Sequence, residues 1–252
     1  MKRFFLIAYA TIAYGGFLAV FGWAFAFLAG SPSSVGIDRS GTHTATAVAV
    51  VIDLLLLGLF AMHHSVMARP AAKRLVTRVV PAAAERSTYV LTADALLALV
   101  LWQWRPIGGT VWDVQTQPAR GAIWALYALG WVIAVSSTFM IDHFDLVGLR
   151  QAASRDYQRP AFQQRRLYRV IRHPIMAGFL IAFWSTPAMS RGHLLFSAAA
   201  SAYILVGVTL EERDLRRELG AVYEDYASRT PAVIPRPTSA RASSSSSIDS
   251  AS

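Results

Sequence analysis

Hydrophobic and polar positions alternate along this chain in long blocks rather than at the short period of a surface helix. Phe4 to Ala29 is almost wholly apolar and follows a basic start, Met1-Lys2-Arg3. A helix needs roughly 20 apolar residues to cross ~30 Å of hydrocarbon. By that measure the pattern predicts six membrane spans. Span one is Phe4–Ala29, span two about Ala45–Met62, span three about Thr88–Trp104 and span four about Gly121–Ile141. Span five starts at Pro174 and ends near Met189. Ser190-Arg191-Gly192 then turns the chain into span six, His193–Leu210, so five and six form a helical hairpin. Beyond Glu211 the stripe Leu215, Leu219, Val222 and Tyr226 predicts an amphipathic helix reaching Arg229. The predicted fold class is therefore all-α, a polytopic membrane helical bundle forming one domain over residues 1–237. The Ser-rich tail, 238–252, has too little apolar surface to fold and reads as disordered.

Composition agrees with this pattern. Only 15% of the 252 residues are charged and the mean hydropathy is +0.39, outside the range of ordinary soluble domains. There is no cysteine, which excludes a disulfide framework, a thiolate metal site and a thiol nucleophile. The net charge of +9 invites a nucleic-acid reading, but its placement argues against one. All but four of the 24 Lys and Arg lie on the side that holds both termini; the opposite loops carry only Arg39, Arg105, Arg120 and Arg191. The positive-inside rule places that richer side in the cytoplasm. Trp23, Trp102, Trp104, Trp112 and Trp124 fall at the other face, as an interfacial belt would. The expected location is the inner (plasma) membrane, multi-pass, with both termini cytoplasmic and membrane lipids as the partner of the basic loops. Nothing at the start reads as a cleaved signal peptide.

This topology delivers four polar clusters to the cytoplasmic mouth. His63-His64 end span two, Asp142-His143-Phe144-Asp145 end span four, Arg172-His173 precede span five and Glu211-Glu212 end span six. Pro174 directly after Arg172-His173 is a helix-start signal, and the free N–H groups of such a start favour anions. Carboxylates on the opposite wall would suit a zwitterion with a positive centre, and S-adenosylmethionine is such a molecule. The same residues also serve as interfacial anchors in many membrane proteins. An unperturbed His is half-neutral at about pH 6.5, which would suit general-base work at His64; an interfacial hydrogen-bonding His is the plainer alternative. His143 and Asp145 could orient a base or hold an amino group, or form a solvated turn paired to arginines such as Arg150. Asp53 and Asp94 lie inside spans two and three, where carboxylates are costly. Asp53 is expected to be an interhelical hydrogen-bonding group and Asp94 to pair with a basic side chain. No His spacing points to a metal site.

Arg172-His173-Pro174 with Gly178, then Glu211-Glu212, then Gly220-x-x-Tyr223-x-x-Tyr226 and the Pro231/Pro235 pair, resembles the carboxy-terminal signature of the isoprenylcysteine carboxyl methyltransferase superfamily. That superfamily also takes in phospholipid N-methyltransferases and NnrU-type proteins. Within it, His64-Ser65-Val66-Met67-Ala68-Arg69 and the run from His143 to Gln151 resemble the bacterial methanethiol S-methyltransferases. The resemblance covers most of residues 1–237; Met176 replaces an aromatic residue often found there, and His63 stands where Gln is common. It implies methyl transfer from S-adenosylmethionine to a small thiol, methanethiol to dimethyl sulfide. It places Arg172, His173, Pro174, Gly178, Glu211, Glu212 and Tyr223 at the cofactor, and His64, His143 and Asp145 at the chemistry. An isoprenylcysteine-like or lipid acceptor, and a non-catalytic NnrU-type membrane protein, are the alternatives.

Overall fold

The computed structural model describes residues 2–30, 34–39, 44–158 and 166–235. The expected Ser-rich tail lies outside the described residues. The long helices are α1 (Lys2–Ala29), α2 (Thr46–Met67), α4 (Glu85–Gln103), α5 (Gln117–Ile141) and α9 (Arg191–Leu219). Shorter ones are α3 (Pro70–Val76), α6 (His143–Leu146), α7 (Leu149–Ala153), α8 (Pro174–Trp184) and α10 (Ala221–Arg229). Among the described residues four helices, α1, α2, α5 and α9, are long and apolar enough to cross a membrane. The chain is mostly helical, and the apolar sides of these four face outward, as a lipid-embedded bundle requires.

The fold adds a feature that an all-α reading omits. Two short strands, β1 (Thr110–Asp113) and β2 (Ala188–Ser190), pair antiparallel with Trp112 opposite Met189. They explain why the helix begun at Pro174 stops at Trp184 and not near Met189. Pro187 has no N–H and disfavours helical backbone at Thr186, so the chain leaves the helix extended and docks on Thr110–Asp113. Val114 N donates to Pro187 O at 2.8 Å. Ser190 then caps α9, its Oγ accepting from His193 N at 3.0 Å.

Small residues set the tightest helix contact. Gly130 and Ala134 of α5 meet Gly178 and Ala182 of α8, one Gly-x-x-x-Ala run against another. A Cβ built on Gly130 would lie 2.7 Å from Gly178 O and Ala182 N; one on Gly178 would lie 2.6 Å from Gly130 O and Ala134 N. Backbones this close are how helices associate when burial of apolar surface gives no advantage over lipid. α8 has 11 residues, about 16 Å of helix, so its attachment to α5 substitutes for length.

The main core gathers at the end of the bundle that carries the sheet. Phe27, Trp104, Tyr127, Trp131 and Phe196 form its aromatic centre, with Leu101 packed among them. Trp104 is therefore core and not part of an interfacial belt, whereas Trp102 stays 63% exposed. Arg39 closes the end of α4: its guanidinium donates to Leu101 O at 2.8 Å, to Trp104 O at 3.1 Å and also to Trp102 O. A cation on unpaired terminal carbonyls is favourable by charge and by hydrogen bonding. Asp53, fully buried, accepts from Arg105 N at 2.8 Å and ties α2 to the exit of α4. Asp94 differs from expectation. No basic side chain pairs with it among the described residues; its buried Oδ2 faces Gly16 of α1 without a hydrogen-bond partner.

Gly130→Ala and Gly178→Ala should each lower stability by about 1–3 kcal/mol through overpacking, whereas Gly58→Ala, with open space around its Cβ position, should not. Thermal unfolding in detergent, followed by tryptophan fluorescence, checks this.

Candidate active site

Arg172, His173 and Glu212, separated by a whole helical excursion in the chain, meet in one buried knot. Arg172 reads the Glu212 carboxylate with two parallel bonds, Nε to Oε1 at 2.6 Å and Nη2 to Oε2 at 2.8 Å. His173 Nε2 lies 3.0 Å from Oε1, and Tyr223 donates its hydroxyl to the same oxygen at 3.0 Å. Arg216, one turn on in α9, donates to Oε2 at 3.0 Å. Glu212 is 6% exposed, and a carboxylate so far from water requires this many donors. Arg172 also donates Nη1 to Ala227 O at 3.0 Å and to Thr230 O. Burial opposes its charge, but the bonds and charge of Glu212 outweigh that and raise the guanidinium pKa. Burial, then the Glu212 carboxylate, raises the pKa of the Tyr223 phenol.

Backbone bonds align the same corner. Arg172 N and His173 N donate to Pro231 O and Ala232 O, both at 2.9 Å, so the segment after α10 runs alongside the entry to α8. Pro174 is the first residue of α8. Gly178, one turn on, is where α8 touches α5, and packing against Gly130 accounts for its missing side chain.

The knot occupies Arg172 fully, so this side chain is not an open receptor for a ligand carboxylate. What remains accessible is Glu211, whose side chain is 53% exposed and whose Oε2 lies 3.5 Å from His173 Nδ1. Both nitrogens of the His173 ring thus face a carboxylate oxygen, and the two glutamates differ: Glu212 turns inward, Glu211 outward.

α9 does not end at the twin glutamates but continues to Leu219. The break comes at Gly220, φ 55° and ψ −129°, a conformation L-residues rarely adopt. It resets the helical phase, so one member of the expected stripe is corrected: Tyr226 is buried as expected, but Val222 is 62% exposed and Tyr223 is buried in its place. Tyr226 donates to Tyr168 O, closing α10 onto the stretch before Arg172.

The histidines lie in two further clusters. His64, on the last turns of α2, has its ring beside the Tyr89 hydroxyl of α4, 2.9 Å from Nδ1 and 3.0 Å from Nε2. Tyr203 of α9 presents its ring edge at 6.5 Å and bonds Ser65 at 3.3 Å. Tyr203 and Glu211 sit on one helix, about 12 Å apart along its axis. His143 instead belongs to the α1–α5 side: Nδ1 is 2.8 Å from Thr138 Oγ1, Nε2 is 3.1 Å from Tyr14 OH, and the ring stacks on Phe139 at 4.1 Å. Asp145 is buried with Oδ1 unpartnered among the described residues, while Asp142 takes the nearby Arg150. No hydrogen bond or ring contact joins His143 or Asp145 to His64 among the described residues. α4 shows why: Thr88 faces α1 through Tyr9, and its neighbour Tyr89 faces α2.

Tyr89, Tyr203, Tyr14 and Arg216 were not singled out from sequence. Arg216 was legible, four positions after Glu212 on a helix; the tyrosines were not, because nothing local marks a partner so far along the chain. Two cavities lie elsewhere. One of about 290 Å³, lined by Ile37, Asp38, Arg120, Trp124 and His193, is at the sheet end. An apolar one of about 590 Å³ lies between α1 and α5, lined by Phe21, Phe25, Trp131, Val135 and Phe139.

Two outcomes test this geometry. Glu212→Ala should cost about 3–5 kcal/mol, because it strands buried cations, whereas Glu211→Ala should leave the unfolding midpoint near wild type. Burial lowers the His143 pKa despite the nearby Asp142 charge. Its contribution to stability is therefore complete above the unfolded value of about 6.5 and is lost as pH falls towards the folded value. His143→Gln should flatten that acid limb in a series of unfolding midpoints.

The family model described as NnrU protein matches residues 52–230. A methanethiol S-methyltransferase of Mycobacterium tuberculosis is 47% identical over 94% of this chain and 98% of its own length. Methanethiol S-methyltransferase 2 of Bradyrhizobium diazoefficiens is also 47% identical, over 93% of this chain and 91% of its own. Nurim of Danio rerio is 28% identical over 68% of this chain and 67% of its own. No solved structure matches. With the Arg172–Glu212 knot, the Gly220 turn and most of the helical frame inside the matched region, the chain belongs to the NnrU protein family and, by its near full-length likeness to them, with the methanethiol S-methyltransferases.

Proposed function

We propose that this protein transfers a methyl group from S-adenosylmethionine to methanethiol, giving dimethyl sulfide. The carrying observation is the near full-length match to relatives named for that reaction, and the convergence of Arg172, His173, Glu211 and Glu212 at one corner supports it. The donor set fits such a molecule: an outward carboxylate, Glu211, for a cationic amino group, and the start of α8 for a carboxylate. Bound S-adenosylmethionine supplies a methyl group on a sulfonium sulfur. Glu211 and His173 would hold it, and Glu212, Arg172 and Tyr223 keep that pair in place. His64 takes the proton from the thiol, since the thiolate is the nucleophile. Tyr203, whose ring lies 6.5 Å from that of His64, is about 12 Å along α9 from Glu211, within the length of a nucleoside-linked amino acid. Six crossings, with α4 and the short α8 completing the bundle and both termini in the cytoplasm of the inner membrane, remain the topology that the basic loops favour. Methanethiol then enters from lipid, where a small apolar thiol partitions.

One observation favours a second reading. The apolar groove between α1 and α5 opens beside Phe139, which stacks on His143, and a lipid-borne acceptor would fit there.

Purified protein in nanodiscs, given labelled donor and a panel of acceptors, should label methanethiol and leave prenyl-cysteine and phospholipid unlabelled. Transfer to lipid alone would establish the second reading, and failure to bind the donor by calorimetry would remove both. Glu211→Gln should weaken donor binding about tenfold, the loss of one charge-assisted hydrogen bond, with the unfolding midpoint unchanged.

A further inference from the structure

α2 is long and apolar enough to cross a membrane, and its last turns leave Met62 60% and Val66 51% exposed. Only Ala68 and Arg69 separate its end from α3, so α3 starts at the membrane boundary. The helical path runs on for another turn: Thr77 N and Val80 N donate to Lys73 O and Val76 O, at 3.0 Å and 2.9 Å. Residues four apart on such a path are neighbours. Leu75 therefore lies beside Val79, and Arg74 beside Arg78, one position back along the same turn. Leu75 is 62% exposed and Val79 86%, and both arginines are exposed with them. From Ala68 to Ala84 the chain holds Arg69, Lys73, Arg74 and Arg78 and no acidic residue. Arg69 is paired with Asp214. Among the described residues neither Arg74 nor Arg78 has an ion-pair partner.

We propose that residues 70–80 lie in the membrane–water interface and bind an anionic phospholipid, with Leu75 and Val79 in the acyl boundary and Arg74 and Arg78 on the headgroup phosphate. Apolar side chains set beside cations are how a helix rests on a bilayer surface. Water is a poor solvent for two adjacent aliphatic side chains, whereas the acyl boundary accepts them. An arginine stem lies along hydrocarbon while its head stays polar, and the guanidinium meets phosphate oxygens with two parallel hydrogen bonds. Charge complementarity selects the occupant. Two unpaired cations attract a headgroup with net negative charge, while a choline headgroup brings its own cation against them. The contact is local, a pair of arginines at one turn, and so differs from the general attraction of basic loops to an anionic leaflet. No step of methyl transfer enters this assignment, so its failure would leave the proposed reaction untouched.

Two measurements on the full-length protein test it. In native mass spectrometry titrations of detergent-solubilised protein, wild type should bind phosphatidylglycerol more tightly than phosphatidylcholine. Arg74→Gln/Arg78→Gln should weaken phosphatidylglycerol binding roughly thirtyfold, about fivefold for each arginine, and leave phosphatidylcholine unchanged. Arg213→Gln/Arg217→Gln removes the same charge from exposed positions near the end of α9 and should stay within about twofold of wild type. Because all four side chains are exposed, the unfolding midpoints of both pairs should match wild type. The chain has no cysteine, so Val79→Cys takes a single spin label without further changes. In nanodiscs that label should collide more often with lipid-soluble oxygen than with a water-soluble nickel chelate. Equal losses in the two arginine pairs would reduce the effect to diffuse charge and overturn the site. Equal affinity of wild type for the two lipids, or a label reached mainly by the nickel chelate, would overturn it as well.

Discussion

A single carboxylate, that of Glu212, holds the functional end of this protein together. Removing such a group from water costs several kcal/mol unless charge and hydrogen bonds replace the solvent, and here five donors from four residues do so. Those residues come from the entry to α8, from α9 itself and from α10. The desolvation cost is thus turned into a constraint on chain path: the segments must come together, because no smaller set of partners would satisfy the buried charge. Its neighbour Glu211 stays exposed and chemically available. Adjacent identical residues on one helix, about 100° apart, divide into an anchor and a free group.

A second constraint acts within the bundle. α8 is too short to cross ~30 Å of hydrocarbon unaided, and its contact with α5 is backbone on backbone. Dispersion between closely fitted surfaces, rather than expulsion of water, has to hold such helices. That contact fixes where α8 begins, and so where Arg172 and His173 meet Glu212. Rigid packing in the middle of the bundle and the polar knot near its end therefore position the same two residues from opposite sides.

Much of the architecture was readable in the sequence because hydropathy reports membrane crossing directly: the starts of α1, α4, α5 and α8 fall close to the expected ones. What was missed has physical causes. Strands of four and three residues are too short for alternation to show, and they formed where Pro187 cut a helix short. Val222 was placed on the buried stripe by an unbroken helical period, which Gly220 interrupts. At the candidate site, the motif pairing Arg172-His173 with Glu211-Glu212 was visible through resemblance, but not that Arg172 is consumed by Glu212. His64 stands on the last turns of α2, and His143 and Asp145 just after α5, yet neighbouring residues of α4 face different helices, so they fall into separate clusters.

The bend at Gly220 has a consequence for how the protein opens. In an uninterrupted helix Tyr223 would lie about 16 Å beyond Glu212 along the axis; the reversal brings its hydroxyl to 3.0 Å. α10 is a nine-residue segment, below the length at which isolated helices persist in water. Its order depends on docking, through Tyr223 on Glu212 and Tyr226 on Tyr168. Such a segment detaches as a unit at a free energy below that of global unfolding. Its undocking would strip Tyr223 from Glu212 and the Ala227 carbonyl from Arg172 in one movement, making the C-terminal latch the natural breathing mode of the polar corner.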